Sequence, residues 1–145
     1  MRRFCILLLL STCYLSACAR TMTGRDVEFE NADRFIKEKR YTEAVATYSK
    51  IAKESPASAR GANALFASAS ARASYDNPQK DYALALQQFD EFLRLYPNNE
   101  KARDAQNWRY VLRMLLELRK ENEHLTTSIE QLKELDIRHE ERRKQ

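Results

Sequence analysis

Two segments in the middle of the chain carry the same order of apolar and aromatic positions. Between Tyr41 and Pro56 the chain has a small Ala, an aromatic residue and an apolar residue, and the segment from Tyr82 to Pro97 repeats that order. Every matched position is shifted by 41 residues. Residues spaced three, four and seven apart lie on one face of an α-helix. The pattern therefore predicts two equivalent helices, each followed by a Pro, with two unrelated amphipathic helices as the alternative.

Each of these helices is preceded by a segment that favours a partner helix. The segment 27–39 places its apolar residues on one helical face, and the segment 58–75 is rich in Ala, the residue of highest helix propensity. Pro78 should end the second segment, because Pro disfavours helical conformation in the residue before it. Farther along, Asn98-Asn99 offers an N-cap, which predicts another helix from Glu100 to Tyr110.

Paired helices of this kind resemble tetratricopeptide (TPR) repeats. In that family a small Ala lets the two helices of a pair approach closely, and an aromatic residue fills the space beside it. The resemblance implies an all-α fold, an α-solenoid of repeats over 27–56 and 58–97 with a partial third over 99–110. Two departures are the spacing, which exceeds the usual length of about 34 residues, and Glu28, which stands where the family has a Trp-like residue. The implied repeat-packing residues are Ala32, Phe35, Tyr41, Ala44, Tyr48, Ile51, Pro56, Tyr82, Ala85, Phe89, Phe92 and Pro97.

The amino terminus has the pattern of a secretory signal. A basic start precedes an apolar stretch of about a dozen residues, which is too short for a comfortable membrane span of about 20. Leu15-Ser16-Ala17-Cys18 then resembles the lipobox of bacterial lipoproteins, in which the preceding peptide is removed and the Cys carries diacylglycerol. The resemblance implies a signal peptide over 1–17, lipidation of Cys18 and a tether over 18–26; an ordinary signal peptide or an uncleaved anchor is the alternative. Because Ala19 rather than Asp follows, it also implies the periplasmic face of the outer membrane.

From Trp108 onward the apolar positions follow a heptad spacing. Coiled coils bury the a and d positions of each heptad, and an Asn at one a position fixes register in parallel two-stranded coils. No Gly or Pro follows Pro97, so one helix could run from about residue 100 to about residue 140. We expect 111–145 to form a coiled-coil tail, in a homodimer or with the periplasmic part of another protein; folding back onto its own repeats is the alternative. The predicted seam residues are Leu115, Leu118, Asn122, Leu125, Ile129 and Leu132.

The composition argues against an enzyme. Two Gly leave no room for a P-loop or a dinucleotide-binding fingerprint. His124 and His139 lie on the predicted tail without nearby Cys or metal-ligand spacing, which favours solvent-exposed positions over a metal site or a catalytic triad. The pI of about 9.0 comes from dispersed charge, so nucleic acid is not the expected partner. We expect no catalytic residue, no metal and no cofactor other than the lipid on Cys18.

A binding role for the repeats remains. Repeat stacks bind partners on an extended concave surface, which predicts a groove on the first helices for an extended peptide or a helix. The expected function is a lipid-anchored periplasmic adaptor or scaffold for cell-envelope proteins, and similarity of the run 89–100 to lipoproteins of outer-membrane assembly favours that process. The alternative is an accessory lipoprotein of an envelope-sensing histidine kinase, since small lipoproteins of such systems have tails similar to 132–144; an enzyme is a third class. The predicted groove residues are Phe29, Asp33, Ile36, Lys37, Arg60 and Asn63.

Overall fold

The protein is all-helical, as the hydrophobic pattern predicts. A computed structural model describes residues 27–144, of which 81% are helical, and no strand occurs among them. Consecutive helices pack against one another. The described residues form five helices: α1 (27–37), α2 (Tyr41–Glu54), α3 (Ala59–Ala73), α4 (Tyr82–Leu95) and α5 (Ala102–Arg143).

The main hydrophobic core joins α3, α4 and α5 through aromatic rings. Phe89 and Phe92 are completely buried, and the ring of Phe66 meets both edge-on, at centroid distances of 5.5 and 5.6 Å. The ring of Trp108 stacks on Phe89 at 5.9 Å. Buried alanines of α3, Ala69 among them, leave space for these rings, because a close-packed interior must match large side chains with small ones.

A second cluster joins α1 to α2. Ala32 and Ala44 are completely buried there, and the ring of Phe29 meets Tyr48 edge-on at 5.3 Å. The turn between the helices is closed by Lys39, which adopts the left-handed conformation common just after a helix end. A small apolar cluster and a tight turn therefore help to fix the two amino-terminal helices together.

Local side-chain hydrogen bonds set two helix ends differently from the sequence prediction. α3 ends at Ala73 rather than at Tyr75, and the amide of Asn77, buried in the following loop, donates to the Ala71 carbonyl at 2.9 Å. The predicted N-cap at Asn98-Asn99 is wrong, because α5 begins at Ala102 and the Asn99 side chain instead accepts from the backbone N–H of Lys101 in the preceding turn. Ser58 and Asp81 do cap α3 and α4.

The last helix changes from buried to exposed along its length. α5 has 42 residues and runs unbroken through the boundary expected between residues 110 and 111. Ala105 and Leu112 are buried against the core, and no described residue beyond Leu112 is buried. The far part of α5 therefore does not fold back onto the helices that the structure describes.

Candidate protein-binding surfaces

Most of the expected repeat-packing residues lie inside the helical bundle. Tyr41 and Tyr82 begin α2 and α4, and the two prolines lie two residues beyond the ends of those helices, on the surface. Phe35 and Tyr82 are half-buried. The remaining residues of the set are buried: Ala32, Tyr41, Ala44, Tyr48, Ile51, Ala85, Phe89 and Phe92.

Three of the predicted groove residues meet in one pocket between α1 and α3. This α1–α3 pocket has a volume of about 440 Å³ and is lined by Phe29, Glu30, Arg60 and Asn63. Beside it, the carboxylate of Glu28 accepts hydrogen bonds from Lys50 at 2.9 Å and from Arg60 at 3.3 Å. These bonds, that from Lys50 foremost, lower the pKa of Glu28. The guanidinium of Arg60 is therefore held in place at the pocket wall by an ion pair.

The other predicted groove residues lie outside this pocket. Asp33 accepts a hydrogen bond from the hydroxyl of Tyr48, and burial together with this bond raises the pKa of Tyr48. Ile36 packs against the α1–α2 cluster and against a further small cluster formed by Tyr41, Val45 and Ala71, whereas Lys37 is exposed. Asp33 and Ile36 thus support the packing of α1 on α2 rather than lining a cavity.

A pocket that the sequence reasoning missed lies between α3 and α5. This α3–α5 pocket has a volume of about 510 Å³, and the Phe66 ring forms one side of it, together with Asp104, Asn107, Trp108 and Val111. The heptad pattern that begins at Trp108 places Trp108 at an a position and Val111 at a d position, so neither residue was expected in the groove. Extending the first-helix groove from α1 and α3 to the start of α5 would have found them. The two pockets together give α1, α3 and α5 apolar recesses edged by polar groups.

A further pocket, also missed, is formed by α2, the end of α3 and the loop before α4. It has a volume of about 700 Å³, and its lining includes Val45, Lys53, Arg72 and Gln79. The Nε atom of Arg72 is buried there without a hydrogen-bond partner among the described residues. Contacts distant in sequence build this α2 pocket, such as the hydrogen bond of 2.7 Å from Thr42 to Gln79. No local sequence pattern signals such a site.

The expected seam forms an uncovered stripe along α5, which we call the tail seam. Its members are Leu115, Leu118, Asn122, Leu125, Ile129 and Leu132, and all of them are exposed. Leu118, Leu125 and Leu132, spaced seven residues apart, have exposed fractions of 59%, 60% and 61%. A different face of the helix docks on α4, through Leu112 and through ion pairs from Arg109 and Arg113 to Asp90. Docking on α4 therefore leaves the tail seam open.

Several expectations concern residues or ligands beyond these surfaces. Cys18 and the lipobox residues Leu15, Ser16 and Ala17 lie outside the described residues. Within 27–144, no group of three His, Cys, Asp or Glu side chains is arranged to hold a metal ion, and both His124 and His139 are exposed on α5. No helix in this part of the chain has a stretch long and apolar enough to cross a membrane.

Comparison with known proteins gives no relative for this chain. No protein-family model matches it, and searches of curated proteins and of solved structures found no significant similarity. A function must therefore be argued from the chain's own residues and their geometry.

Proposed function

We propose that the protein is a non-enzymatic adaptor of the cell envelope that binds other proteins through two helical surfaces. One is a platform, formed by α1 to α4 and the first turns of α5, which we interpret as TPR-like repeats. The other is the tail seam, which we interpret as one half of a coiled coil. The uncovered tail seam on an unbroken helix is the observation that carries the proposal.

An isolated helix of this kind needs a partner. The part of α5 beyond Leu112 extends for about 46 Å at 1.5 Å per residue. Helices are marginally stable in water without packing of an apolar face, and contiguous exposed apolar patches mark interaction sites. Leu118, Leu125 and Leu132 lie on one such face and have no cover within the described chain. A protein helix that packs on this face would supply the missing support.

The platform supports the same interpretation. The residues shared by the two repeated segments occupy like positions, since Tyr41 and Tyr82 each begin a helix and Ala44 and Ala85 are each completely buried. The α1–α3 and α3–α5 pockets combine aromatic walls with a few polar groups. Such recesses suit an extended peptide or a helix, because apolar pockets take side chains and polar edges fix orientation.

The proposed location is the periplasmic face of the bacterial outer membrane, with the lipid on Cys18 as the anchor. The lipobox directly after an apolar stretch supports this proposal. Two or more acyl chains give stable membrane attachment, whereas one chain is marginal. The change Cys18→Ser should release the protein from the outer-membrane fraction, with Ser16→Ala, a change inside the lipobox that keeps the Cys, as the matched control. Unchanged fractionation of the Cys18→Ser chain would rule out the lipid anchor.

The process favoured is outer-membrane protein assembly or envelope organisation, on the similarity of the run 89–100 to assembly lipoproteins. A second candidate is an accessory role in an envelope-sensing histidine kinase system. The tail seam specifically favours this second candidate, because a kinase that offers one complementary helix could form a coiled coil with it.

Crosslinking in intact cells separates the two processes. Three full-length forms would be compared: the parent, a form with Leu118→Glu and Leu125→Glu in the tail seam, and a control with Gln131→Glu on the side of α5 that faces away from the tail seam. Assembly subunits recovered with all three would favour assembly through the platform. An inner-membrane kinase lost only from the seam variant would favour the signalling role. If no envelope protein is recovered with any form, the adaptor proposal is wrong.

A further inference from the structure

We propose that the tail seam is covered by a second copy of this chain, parallel and in register with the first. This inference rests on the proposed role of the tail seam as a binding surface and names its occupant. The observations that carry it are the place of Asn122 within the seam, the charges beside the seam and the way in which α5 docks on α4.

Asn122 distinguishes the possible arrangements of two such helices. It holds an a position, four residues after Leu118 and three before Leu125. In a parallel, in-register pair each a residue faces its own counterpart, so the two Asn122 amides meet and hydrogen-bond to each other. In an antiparallel pair a faces d, and the register that pairs all six seam positions sets Asn122 against Leu125. An amide buried against Leu lacks a partner, which costs about 1–3 kcal/mol for each copy. The seam is therefore self-complementary in the parallel arrangement.

The charges beside the seam permit this pairing. In a parallel coil each g residue approaches the e residue of the next heptad on the other helix. Two copies of this chain would pair no like charges at these positions. The four pairs are Met114 with Arg119, Glu121 with Thr126, Ser128 with Lys133, and Leu135 with Glu140.

The docking of α5 leaves space for the second helix where the seam begins. Leu112 is buried against α4, and Val111 and Trp108 face the α3–α5 pocket. From Leu115 onward the a and d positions are exposed, so the coil begins where the platform ends. The seam spans about 27 Å from Leu115 to Leu132 at 1.5 Å per residue. A seam of this length is short, so the dimer should be weak in dilute solution and favoured when an anchor confines both copies to one membrane.

The parallel arrangement also brings both platforms to the same end of the coil. If both chains are anchored through Cys18, both amino termini must reach one membrane surface. An antiparallel pair would hold its platforms at opposite ends of the seam. A partner with two copies of a binding segment would then engage both platforms at once, which raises its apparent affinity through effective concentration.

Disulfide trapping in membranes from cells that produce the full-length chain tests the proposal. A cysteine introduced by Leu132→Cys, at a d position, should form a homodimeric disulfide under mild oxidation, because Cβ atoms at facing d positions come within bridging reach. The matched control is Gln131→Cys, one residue away on the side of α5 that faces away from the tail seam. We expect about tenfold more disulfide-linked dimer from the seam position than from the control, because the latter points away from the partner helix.

The change Asn122→Leu, combined with Leu132→Cys, tests the role of the amide. It should strengthen association but reduce the share of in-register disulfide, because the residue that fixes register is gone. An unchanged share of in-register disulfide would overturn the register argument. Disulfides between Leu118→Cys and Ile129→Cys chains, without self-linkage at Leu132→Cys, would overturn the parallel arrangement.

The outcomes separate this inference from the proposed function. A disulfide from Leu132→Cys to a different protein would overturn the second copy as occupant but leave the adaptor role intact. If Leu132→Cys links to no protein and the crosslinking in intact cells still recovers envelope partners, the dimer is wrong but the adaptor role stands. If both experiments recover nothing, the proposed function fails as well.

Discussion

The change Gly61→Ala tests the contact that holds α3 against the end of α2. An ideal Cβ built at Gly61 would lie 2.0 Å from the carbonyl oxygen of Ser55 and 2.8 Å from its carbonyl carbon. Non-bonded carbon atoms pack at about 3.5–4.0 Å, so the backbone of the α2–α3 turn would have to move. The same carbonyl oxygen accepts from the backbone N–H of Ser58 at 3.2 Å and from its hydroxyl at 2.9 Å. The hydroxyl oxygen of Ser58 in turn accepts the hydrogen bond from Gly61 N–H that caps α3.

Three contributions set the expected change in the free energy of unfolding for Gly61→Ala. Replacing Gly by Ala in a helix gains up to about 1 kcal/mol from helix propensity. Forcing a methyl group into a filled space costs about 1–3 kcal/mol. Disturbing the N-cap at Ser58 costs about 1 kcal/mol more. We therefore expect Gly61→Ala to lower the free energy of unfolding by about 1–3 kcal/mol, although the same change in an open helix would raise it.

Urea unfolding followed by tryptophan fluorescence measures this effect. Trp108 is the single Trp of the chain and stacks on Phe89, so its emission reports the core between α3, α4 and α5. Two control variants separate the contributions: Ala59→Gly, at an exposed position of α3, isolates propensity, and Ser58→Ala isolates the cap. A higher unfolding midpoint for Gly61→Ala would refute the close approach of the turn to α3.

Three further changes probe the docking of α5, the Tyr48 hydroxyl and the α2 pocket. Leu112→Ala should cost about 2–5 kcal/mol, because it empties a fully buried position, whereas the exposed Leu118→Ala should change the free energy of unfolding of the dilute protein by less than about 0.5 kcal/mol; equal effects would contradict the docking face. Tyr48→Phe should reduce the loss of stability that the parent shows above pH 10.0, because there a Tyr in the unfolded chain ionises whereas folded Tyr48, whose pKa is raised by burial and by Asp33, does not. Urea midpoints at about pH 9 and about pH 11 measure this loss for both proteins. An equal loss in the two proteins would contradict the prediction. Arg72→Met should leave thermal stability unchanged or raise it by about 1 kcal/mol, because it removes a buried donor without a partner, and a clear drop in melting temperature would show that the guanidinium stabilises the fold.

Helices with a strong apolar stripe are predictable from this sequence, and their ends are less so. α2 and α4 begin at Tyr41 and Tyr82, where the repeated pattern places them. The end of α3 depends on Asn77, whose amide bonds to a carbonyl six residues earlier rather than extending the helix. Asn99 carries an N-cap signal, but its side chain is used within the turn that precedes α5. Asn side chains compete in this way with helix hydrogen bonds, and propensity does not decide which partner prevails.

The candidate binding surfaces also differ in how far the sequence alone predicts them. The tail seam follows from a heptad pattern within one helix, so the sequence alone identifies its residues. The α2 pocket depends on pairs far apart in sequence, such as Thr42 with Gln79, which no periodicity encodes. Whether Val111 or Leu112 is buried depends on the side of α5 that meets α4, and both residues are equally apolar in the sequence.

Because α5 is unbroken, a small tilt at its docked end becomes a larger displacement at its far end. Leu112 fixes the near end to α4, and the helix continues from there for about 46 Å without a Gly or Pro that would act as a joint. A tilt of about 5° where α5 docks on α4 would displace the far end by about 4 Å over that length. A ligand that shifts the packing of Trp108 on Phe89 would therefore move the distal end of α5.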